Sequence, residues 1–222
     1  AAFLAFNKSI ATELAERLPT DVEAKTFHAF GFAAIRAAGV KTRVNGYKVN
    51  NIIKDLLGGD FYAAPLKKLV SLIKGSLIEG NDRKAINRLI DEYNINFNSE
   101  REEEIAIQAI PSILTMCKTQ THLIDFDDMI WMPLVNDYPF PKYDVLFVDE
   151  AQDFNESQRE MISKCVNGGR CIIVGDKNQA IYGFRGADSN SINLFRQRLE
   201  KGSRNITELP LSITWRCPNA VV

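Results

Sequence analysis

The feature that most constrains this chain is a run of four apolar residues that leads directly into two carboxylates. Residues 145–148 read Val-Leu-Phe-Val, and Asp149 and Glu150 follow them. A short, unbroken apolar run is typical of a parallel strand buried on both faces, and parallel α/β sheets bind ligands beyond the carboxyl ends of such strands. We therefore predict that Asp149 and Glu150 lie at the floor of a cleft.

Two adjacent carboxylates in a cleft require a cation, and Mg²⁺ on a nucleotide phosphate is the usual one. One acid then binds the metal, and its neighbour orients or deprotonates the attacking water. The alternative is a strand that ends in a solvated acidic turn. The next strand along the chain favours the nucleotide site.

That second strand is predicted over residues 170–176, and a loop over residues 177–188 follows it. The loop carries an amide, two aromatic rings and a guanidinium, at Gln179, Tyr182, Phe184 and Arg185. An amide can donate to a phosphate oxygen, aromatic rings offer flat faces to bases, and a guanidinium pairs with phosphate or stacks. The loop therefore has groups suited both to a nucleotide and to a nucleic-acid strand.

These segments resemble two motifs of the superfamily 1 DNA helicases of the UvrD/Rep/PcrA type. Residues 149–153, Asp-Glu-Ala-Gln-Asp, are similar to the Walker B motif of that family, and residues 174–188 are similar to its motif that couples ATP to single-stranded DNA. The resemblance implies an α/β fold, a RecA-like P-loop NTPase with a parallel sheet, helices on both faces and an all-helical insertion. Phe184 stands where the family usually has tryptophan, so we expect weaker stacking there.

The resemblance implies an ATP-dependent DNA helicase or translocase that couples Mg-ATP hydrolysis to three-prime to five-prime movement on single-stranded DNA. It implies that Asp149 binds Mg²⁺, that Glu150 activates water, and that Gln179 and Arg216 bind and stabilise the phosphoryl group. Trp215 stands in the place of an aromatic ring that stacks on adenine. The positions that match DNA-contacting residues of the family are Phe6, Asn7, Thr26, His28, Phe126, Tyr182, Phe184 and Arg185.

Several positions also have a simpler structural interpretation. The residue pattern favours core positions over nucleobase platforms for Phe27 and Phe30, and His28 fits a hydrogen-bonded turn residue equally well. Without the resemblance, Trp215 would be a core or interface residue. The acids within residues 125–128 could be a metal site, but an Asp-rich helix N-terminus is the commoner cause.

Hydrophobic periodicity divides the chain into two parts. We predict an incomplete RecA-like motor domain over residues 1–42 and 119–222, and a helical insertion subdomain over residues 43–118. The insertion has amphipathic stripes, formed by Leu66, Leu69, Val70, Ile73 and Leu77 and by Ile86, Leu89, Ile90 and Tyr93. Residues 46–118 contain ten basic and ten acidic residues, so the charge runs favour solvated helix faces over a basic arm.

Further local signals predict individual elements of the motor domain. Asn155 should cap a helix that runs to about Val166 and that residues 167–169 (Asn-Gly-Gly) end. Asp188 or Ser189 should cap another helix, through Ile192, Phe195 and Leu199. Residues 206–209 are predicted to form a strand.

The composition limits the class of protein. The chain has 222 residues, 45% hydrophobic and 25% charged, with a net charge of −1. This composition fits one large soluble domain or a domain with an insertion, and the net charge near zero predicts that any DNA contact lies in a local groove. No segment reaches the roughly 18 apolar residues of a membrane span, and we expect no signal peptide. The four cysteines lack CxxC spacing, which favours reduced thiols over a zinc site, and we predict a cytoplasmic location, bacterial or phage-like.

The sequence contains no G-x-x-x-x-G-K-[ST] phosphate loop. In the family this loop precedes the strand that begins here, and a second motor domain follows. We therefore expect a piece of a longer enzyme that alone hydrolyses little ATP and unwinds nothing. The expected partners are single-stranded DNA and single-strand/double-strand junctions, with repair or replication proteins as candidates and no membrane. The alternative is a degenerate, non-catalytic module for DNA binding or protein interaction. A Walker A lysine in the longer protein that contains this chain would argue against this alternative.

Overall fold

A computed structural model describes residues 1–58, 63–179, 190–201 and 205–210. The described strands are β1 (Ala2–Ala5), β2 (Glu23–Thr26), β3 (Arg43–Val44), β4 (Leu123–Ile124), β5 (Tyr143–Val148) and β6 (Val166–Ile173). The main sheet is parallel throughout, in the order β2-β1-β5-β6, and β3 pairs with β4 in a separate parallel ladder.

Helices flank this sheet, and the helices between residues 48 and 119 form a layer of their own, which we call the helical layer. The described helices are α1 (Lys8–Arg17), α2 (Phe27–Ala37), α3 (Lys48–Leu57), α4 (Ala63–Ser76), α5 (Arg83–Glu92), α6 (Glu100–Thr119), α7 (Phe126–Val135), α8 (Glu156–Cys165) and α9 (Ser191–Lys201). A parallel sheet with flanking helices is the predicted fold class, a RecA-like α/β fold, which the structure confirms. Among the described residues, no helix is long and apolar enough to cross a membrane.

Strand β5 lies in the interior of the sheet, between β1 and β6. Leu146 and Val148 are buried, whereas Val145 and Phe147 are only half-buried. Successive side chains of a strand point to opposite faces. The prediction of complete burial on both faces is therefore wrong for the face that carries Phe147, where its ring stacks on Phe3 at 6.1 Å between centroids.

Strand β6 begins earlier than the sequence suggested. Helix α8 ends at Cys165, close to the predicted end, but the strand starts at Val166 instead of residue 170. Gly168 has φ +72°, and a Cβ on Gly169 would lie 2.0 Å from the backbone oxygen of Asp144 on β5. The two glycines therefore form an irregularity within the β5–β6 ladder, where the register shifts, and do not separate the helix from the strand.

The buried apolar residues form two clusters. The first joins helices α3 to α7, and the second lies between the main sheet and the helices α2, α7, α8 and α9. Phe27 and Phe30 are each 1% exposed and belong to the second cluster, so their interpretation as core residues is confirmed. The stripe residues with 7% exposure or less are Leu66, Leu69, Val70, Ile73, Ile86, Leu89 and Ile90. The domain boundaries at residues 43 and 118 stay a prediction.

The strand predicted over residues 206–209 is wrong. Residues 205–210 have no regular secondary structure, and Leu209 is 79% exposed. The helix predicted before it is present as α9 with Phe195 buried, while the proposed caps Asp188 and Ser189 lie outside the described residues.

Four buried charged side chains, which we call the two-lysine cluster, join the helical layer to the start of α7. Its members are Lys48, Lys74, Asp125 and Asp128. Asp128 lies 2.7 Å from the Nζ of Lys48 and 2.8 Å from the Nζ of Lys74, which also lies 3.1 Å from Asp125. Burial opposes the charge on Lys74, but Asp128 and Asp125 outweigh it and raise the pKa of Lys74 above its ordinary value.

The acids of residues 125–128 are thus a helix N-terminus, as predicted. Asp125 is the N-cap of α7 and forms a reciprocal capping box with Asp128. The lysine partners were not predicted. They hold the helical layer to α7 through charge-assisted hydrogen bonds in a buried setting.

We predict that Asp128→Asn destabilises the fold by about 3–5 kcal/mol, because it leaves the buried ammonium of Lys48 facing a neutral amide and leaves Lys74 with Asp125 as its remaining carboxylate partner. Urea unfolding of the chain at neutral pH measures the loss. The matched control is Asp137→Asn, which removes the carboxylate of the exposed pair with Lys164 and should cost about 1 kcal/mol or less. Equal losses of stability in the two variants would show that the two-lysine cluster contributes no more to the free energy of unfolding than an exposed ion pair does.

Helices α2 and α7 approach each other closely at Gly31. A Cβ at this position would lie 1.8 Å from the backbone oxygen of Met129. Only glycine therefore allows this helix contact, which places the N-termini of the two helices side by side.

We predict that Gly31→Ala lowers the free energy of unfolding by about 1–3 kcal/mol, because the added methyl group must push α2 and α7 apart. Gly46→Ala is the control, since a Cβ there would meet no atom within 4 Å. It should change stability by less than about 1 kcal/mol. Thermal or urea unfolding measures both variants. An unchanged free energy of unfolding in Gly31→Ala would show that the two helices can move apart at little cost.

Candidate functional site

The carboxyl ends of three parallel strands meet at one edge of the main sheet. Ala5, the last residue of β1, pairs in register with Thr26, the last residue of β2, and Leu4 pairs with Val148, the last residue of β5. The residues that follow these strands therefore begin at a common edge. They include most of the described residues that the sequence proposed for the site.

The acidic pair at this edge has an unusual backbone. Glu150 has φ 57° and ψ 42°, the left-handed region that costs a non-glycine residue about 1–3 kcal/mol and is enriched at functional sites. Its N–H donates to Asp149 Oδ1 at 2.9 Å, and both residues are half-buried. Among the described side chains, no cation forms an ion pair with either carboxylate.

A continuous hydrogen-bonded path leads from Glu150 to Gln179. The Nε2 of Gln152 donates to Glu150 Oε2 at 2.6 Å, and its Oε1 accepts from the backbone N–H of Asp176 at 3.0 Å. The Nε2 of Gln179 then donates to Asp176 Oδ2 at 2.9 Å. Glu150 and Gln179 thus lie at the same edge of the sheet.

Gln152 was not assigned a role from the sequence. It lies within the acidic motif, but its burial, 2% exposed, and its contact with the end of β6 are tertiary properties. Motif membership was the only signal that could have pointed to it.

Asn7 and Thr26 have local structural roles. Asn7 accepts from the N–H of Ile10 at 2.9 Å as the N-cap of α1, and Thr26 accepts from the N–H of Ala29 at 3.2 Å as the N-cap of α2. These bonds explain both residue types without a ligand. Their place at the sheet edge is also compatible with the predicted DNA contact, which stays a prediction.

His28 and Phe126 form an exposed aromatic pair. Their ring centroids lie 6.2 Å apart with an interplanar angle of 82°, and Phe126 is 59% exposed. Phe6 is half-buried and follows β1 at the same edge. The other residues proposed for nucleotide or DNA contact lie outside the described residues, and they are Tyr182, Phe184, Arg185, Trp215 and Arg216.

The described residues suit a metal bound through a nucleotide better than a metal held by protein alone. Among them, no group of three or more His, Cys, Asp or Glu side chains could hold a metal ion. Mg²⁺ on a nucleotide usually needs one or two carboxylates, with phosphates and water completing its shell. Asp149 provides such a carboxylate and Glu150 lies directly beside it, so the pair fits one ligand to Mg²⁺ and one base.

Two of the cysteines, Cys117 and Cys165, are buried and do not provide a nucleophile. Burial raises the pKa of Cys117 to about 11 and that of Cys165 to about 12. Both thiols therefore stay protonated at neutral pH and are poor nucleophiles.

The sheet, its acidic edge and the flanking helices define a RecA-like α/β domain. The chain belongs to the UvrD/REP helicase N-terminal domain family, whose model matches residues 2–200.

Relatives with names from this family match the chain over most or part of its length. F-box DNA helicase protein 1 of Schizosaccharomyces pombe is 29% identical over 211 residues, which cover 86% of this chain and 24% of that protein. A probable DNA helicase II homolog of Mycoplasma pneumoniae is 26% identical over 94% of this chain and 31% of its own length. ATP-dependent DNA helicase Rep of Buchnera aphidicola is 38% identical over 35% of this chain and 14% of its own length. The chain thus spans less than a third of each of these relatives.

Proposed function

We propose that this chain is part of the first motor domain of an ATP-dependent DNA helicase or translocase. The protein would couple Mg-ATP hydrolysis to three-prime to five-prime movement on single-stranded DNA. Membership of the family and the DNA helicase names of the relatives support this proposal. The observation that carries it is the hydrogen-bonded path between Glu150 and Gln179, because it joins a carboxylate suited to activate water with an amide suited to bind phosphate.

In the proposed reaction, Asp149 holds Mg²⁺ and Glu150 accepts a proton from the water that attacks the γ-phosphorus. Bound Mg²⁺ would neutralise charge on the phosphates. The half-buried setting of both acids supports these roles, since electrostatic interactions are stronger there than in bulk water. Gln179 and Arg216 would stabilise charge on the transferred phosphoryl group, and Trp215 would stack on adenine.

The proposed DNA contacts that belong to the described residues lie at or just after the ends of β1, β2 and β4. His28 and Phe126 present exposed rings for stacking on bases, with Phe6, Asn7 and Thr26 beside them. Stacking of one base on an aromatic ring is worth roughly 1–3 kcal/mol and tolerates any sequence. The loop residues Tyr182, Phe184 and Arg185 complete the proposed set, with strand junctions as the preferred substrates and repair or replication proteins as candidate partners.

We predict that Glu150→Gln, made in the intact protein that contains this chain, lowers kcat for ATP by about 10²–10⁴-fold, because an amide cannot accept the proton of water. Single-stranded DNA binding should stay within a factor of a few. A steady-state ATPase assay with and without DNA, beside fluorescence anisotropy, measures both.

The matched control is Asp144→Asn, the same chemical change on an exposed residue near the opposite end of β5, which should leave turnover unchanged. Unchanged turnover in Glu150→Gln would reject the role of Glu150. DNA binding by a wild-type protein that has no ATPase activity would favour the degenerate, non-catalytic module.

We predict that Phe126→Ala weakens binding of an oligo-dT strand by about 1–3 kcal/mol, or roughly 5- to 150-fold in Kd, because one stacking surface is lost. Fluorescence anisotropy at fixed salt measures the change. Tyr47→Ala is the control, since Tyr47 is also exposed, at 71%, but precedes α3 in the helical layer and was not assigned to DNA. Equal effects of the two substitutions would remove Phe126 from the proposed groove.

A further inference from the structure

Gln152 is a buried amide whose two polar ends serve two different elements. Its Nε2 donates to the Glu150 carboxylate at 2.6 Å, and its Oε1 accepts from the backbone N–H of Asp176 at 3.0 Å. The residue is 2% exposed. The side chain therefore lies in a single defined orientation between the acidic pair and the turn after β6.

The backbone around Gln152 keeps that orientation. Val174 donates its N–H to Val148 at 2.8 Å, and Ala151 donates to Val174 at 3.0 Å, so the residues after β5 are bonded to those after β6. A Cβ on Gly175 would lie 2.8 Å from the Oε1 of Gln152. Glycine at this position leaves the space that the Gln152 carboxamide fills.

The chemistry of an amide suits this position. It fixes one oxygen of Glu150 by a hydrogen bond and leaves the other carboxylate oxygen to accept a proton. Because the amide is neutral, it does not replace the cation that two adjacent carboxylates require, as a lysine or arginine would. It also holds the turn that ends in Gln179, since Asp176 bonds both Gln152 and Gln179.

We propose that Gln152 is a positioning residue that links the orientation of Glu150 to the position of Gln179. This inference rests on the proposed function. When Gln179 moves with the terminal phosphate, the shift passes through Asp176 and Gln152 to the carboxylate that activates water. Water activation is thereby tied to the presence of phosphate at Gln179.

The test uses Gln152→Met and Gln152→Glu in the intact protein. Methionine has a similar length and removes both hydrogen bonds, while glutamate keeps the acceptor for Asp176 but removes the donor to Glu150. Both should lower kcat for ATP by about 100-fold, as expected for a misplaced reacting group, and leave KM within about threefold. Gln158→Met is the matched control, because among the described residues the Gln158 side chain bonds within the capping box of α8, and the substitution should leave kcat unchanged.

A double-mutant cycle with Gln179→Ala separates linkage from simple loss of structure. If Gln152 transmits the position of Gln179, then Gln179→Ala should lower kcat far less in the Gln152→Met background than in the wild type. Independent, multiplicative losses would overturn the proposal. Thermal melting of each variant identifies any that fail to fold. In that case Gly175→Ala, which displaces the Gln152 carboxamide, replaces the unfolded variant, and it should lower kcat for ATP by the same factor.

The outcomes distinguish this inference from the proposed function. No ATPase activity in the wild type, or full activity in Glu150→Gln, would reject the proposed function. An active wild type and an inactive Glu150→Gln, together with wild-type kcat in both Gln152 variants, would reject only the role of Gln152.

Discussion

The parallel pairing of β5 with β1 and β6 is the constraint on which the rest of the structure depends. Parallel strands present their carboxyl ends at the same edge of the sheet, so the segments that follow them lie close together although they are distant in sequence. The pairing continues past the ends of β5 and β6 through the bond that the Ala151 N–H donates to Val174. It brings Glu150 and Asp176, on separate segments, within reach of the single side chain of Gln152, and Asp176 in turn accepts a hydrogen bond from Gln179.

The helical layer is attached to this edge by contacts of two kinds. Asp128 bridges two buried lysines from α3 and α4, and Gly31 lets α2 lie against the backbone of α7. Both contacts involve α7, whose first residue is Phe126. The position of the exposed aromatic pair thus depends on a buried ionic cluster and a close helix contact that lie away from its surface. These contacts hold α7 against α2, α3 and α4.

The part of the structure that could be predicted depends on short-range chemistry. Asn155 caps α8 and Asp125 caps α7 through bonds to the N–H three residues on, so both signals lie within one turn of sequence. The signals for the acidic pair after β5 and for the apolar stripes of α4 and α5 also come from residues that are close in sequence. Lys48 and Lys74 could not be assigned, because they reach Asp128 across 80 and 54 positions of the chain. The strand predicted over residues 206–209 failed because apolar content alone does not supply a neighbouring strand.

The sequence alone determined the order of elements, the helix caps and the acidic motif, because each follows from the preferences of neighbouring residues. The family resemblance came from the same local motifs. The tertiary structure alone decided which groups meet at the edge. It placed Gln152 between Glu150 and Asp176 and gave Glu150 its left-handed backbone. It also made Asp125 and Asp128 a capped and ion-paired helix start. The physical reason is that burial and hydrogen-bond partners are set by strand pairing and helix packing across long sequence separations.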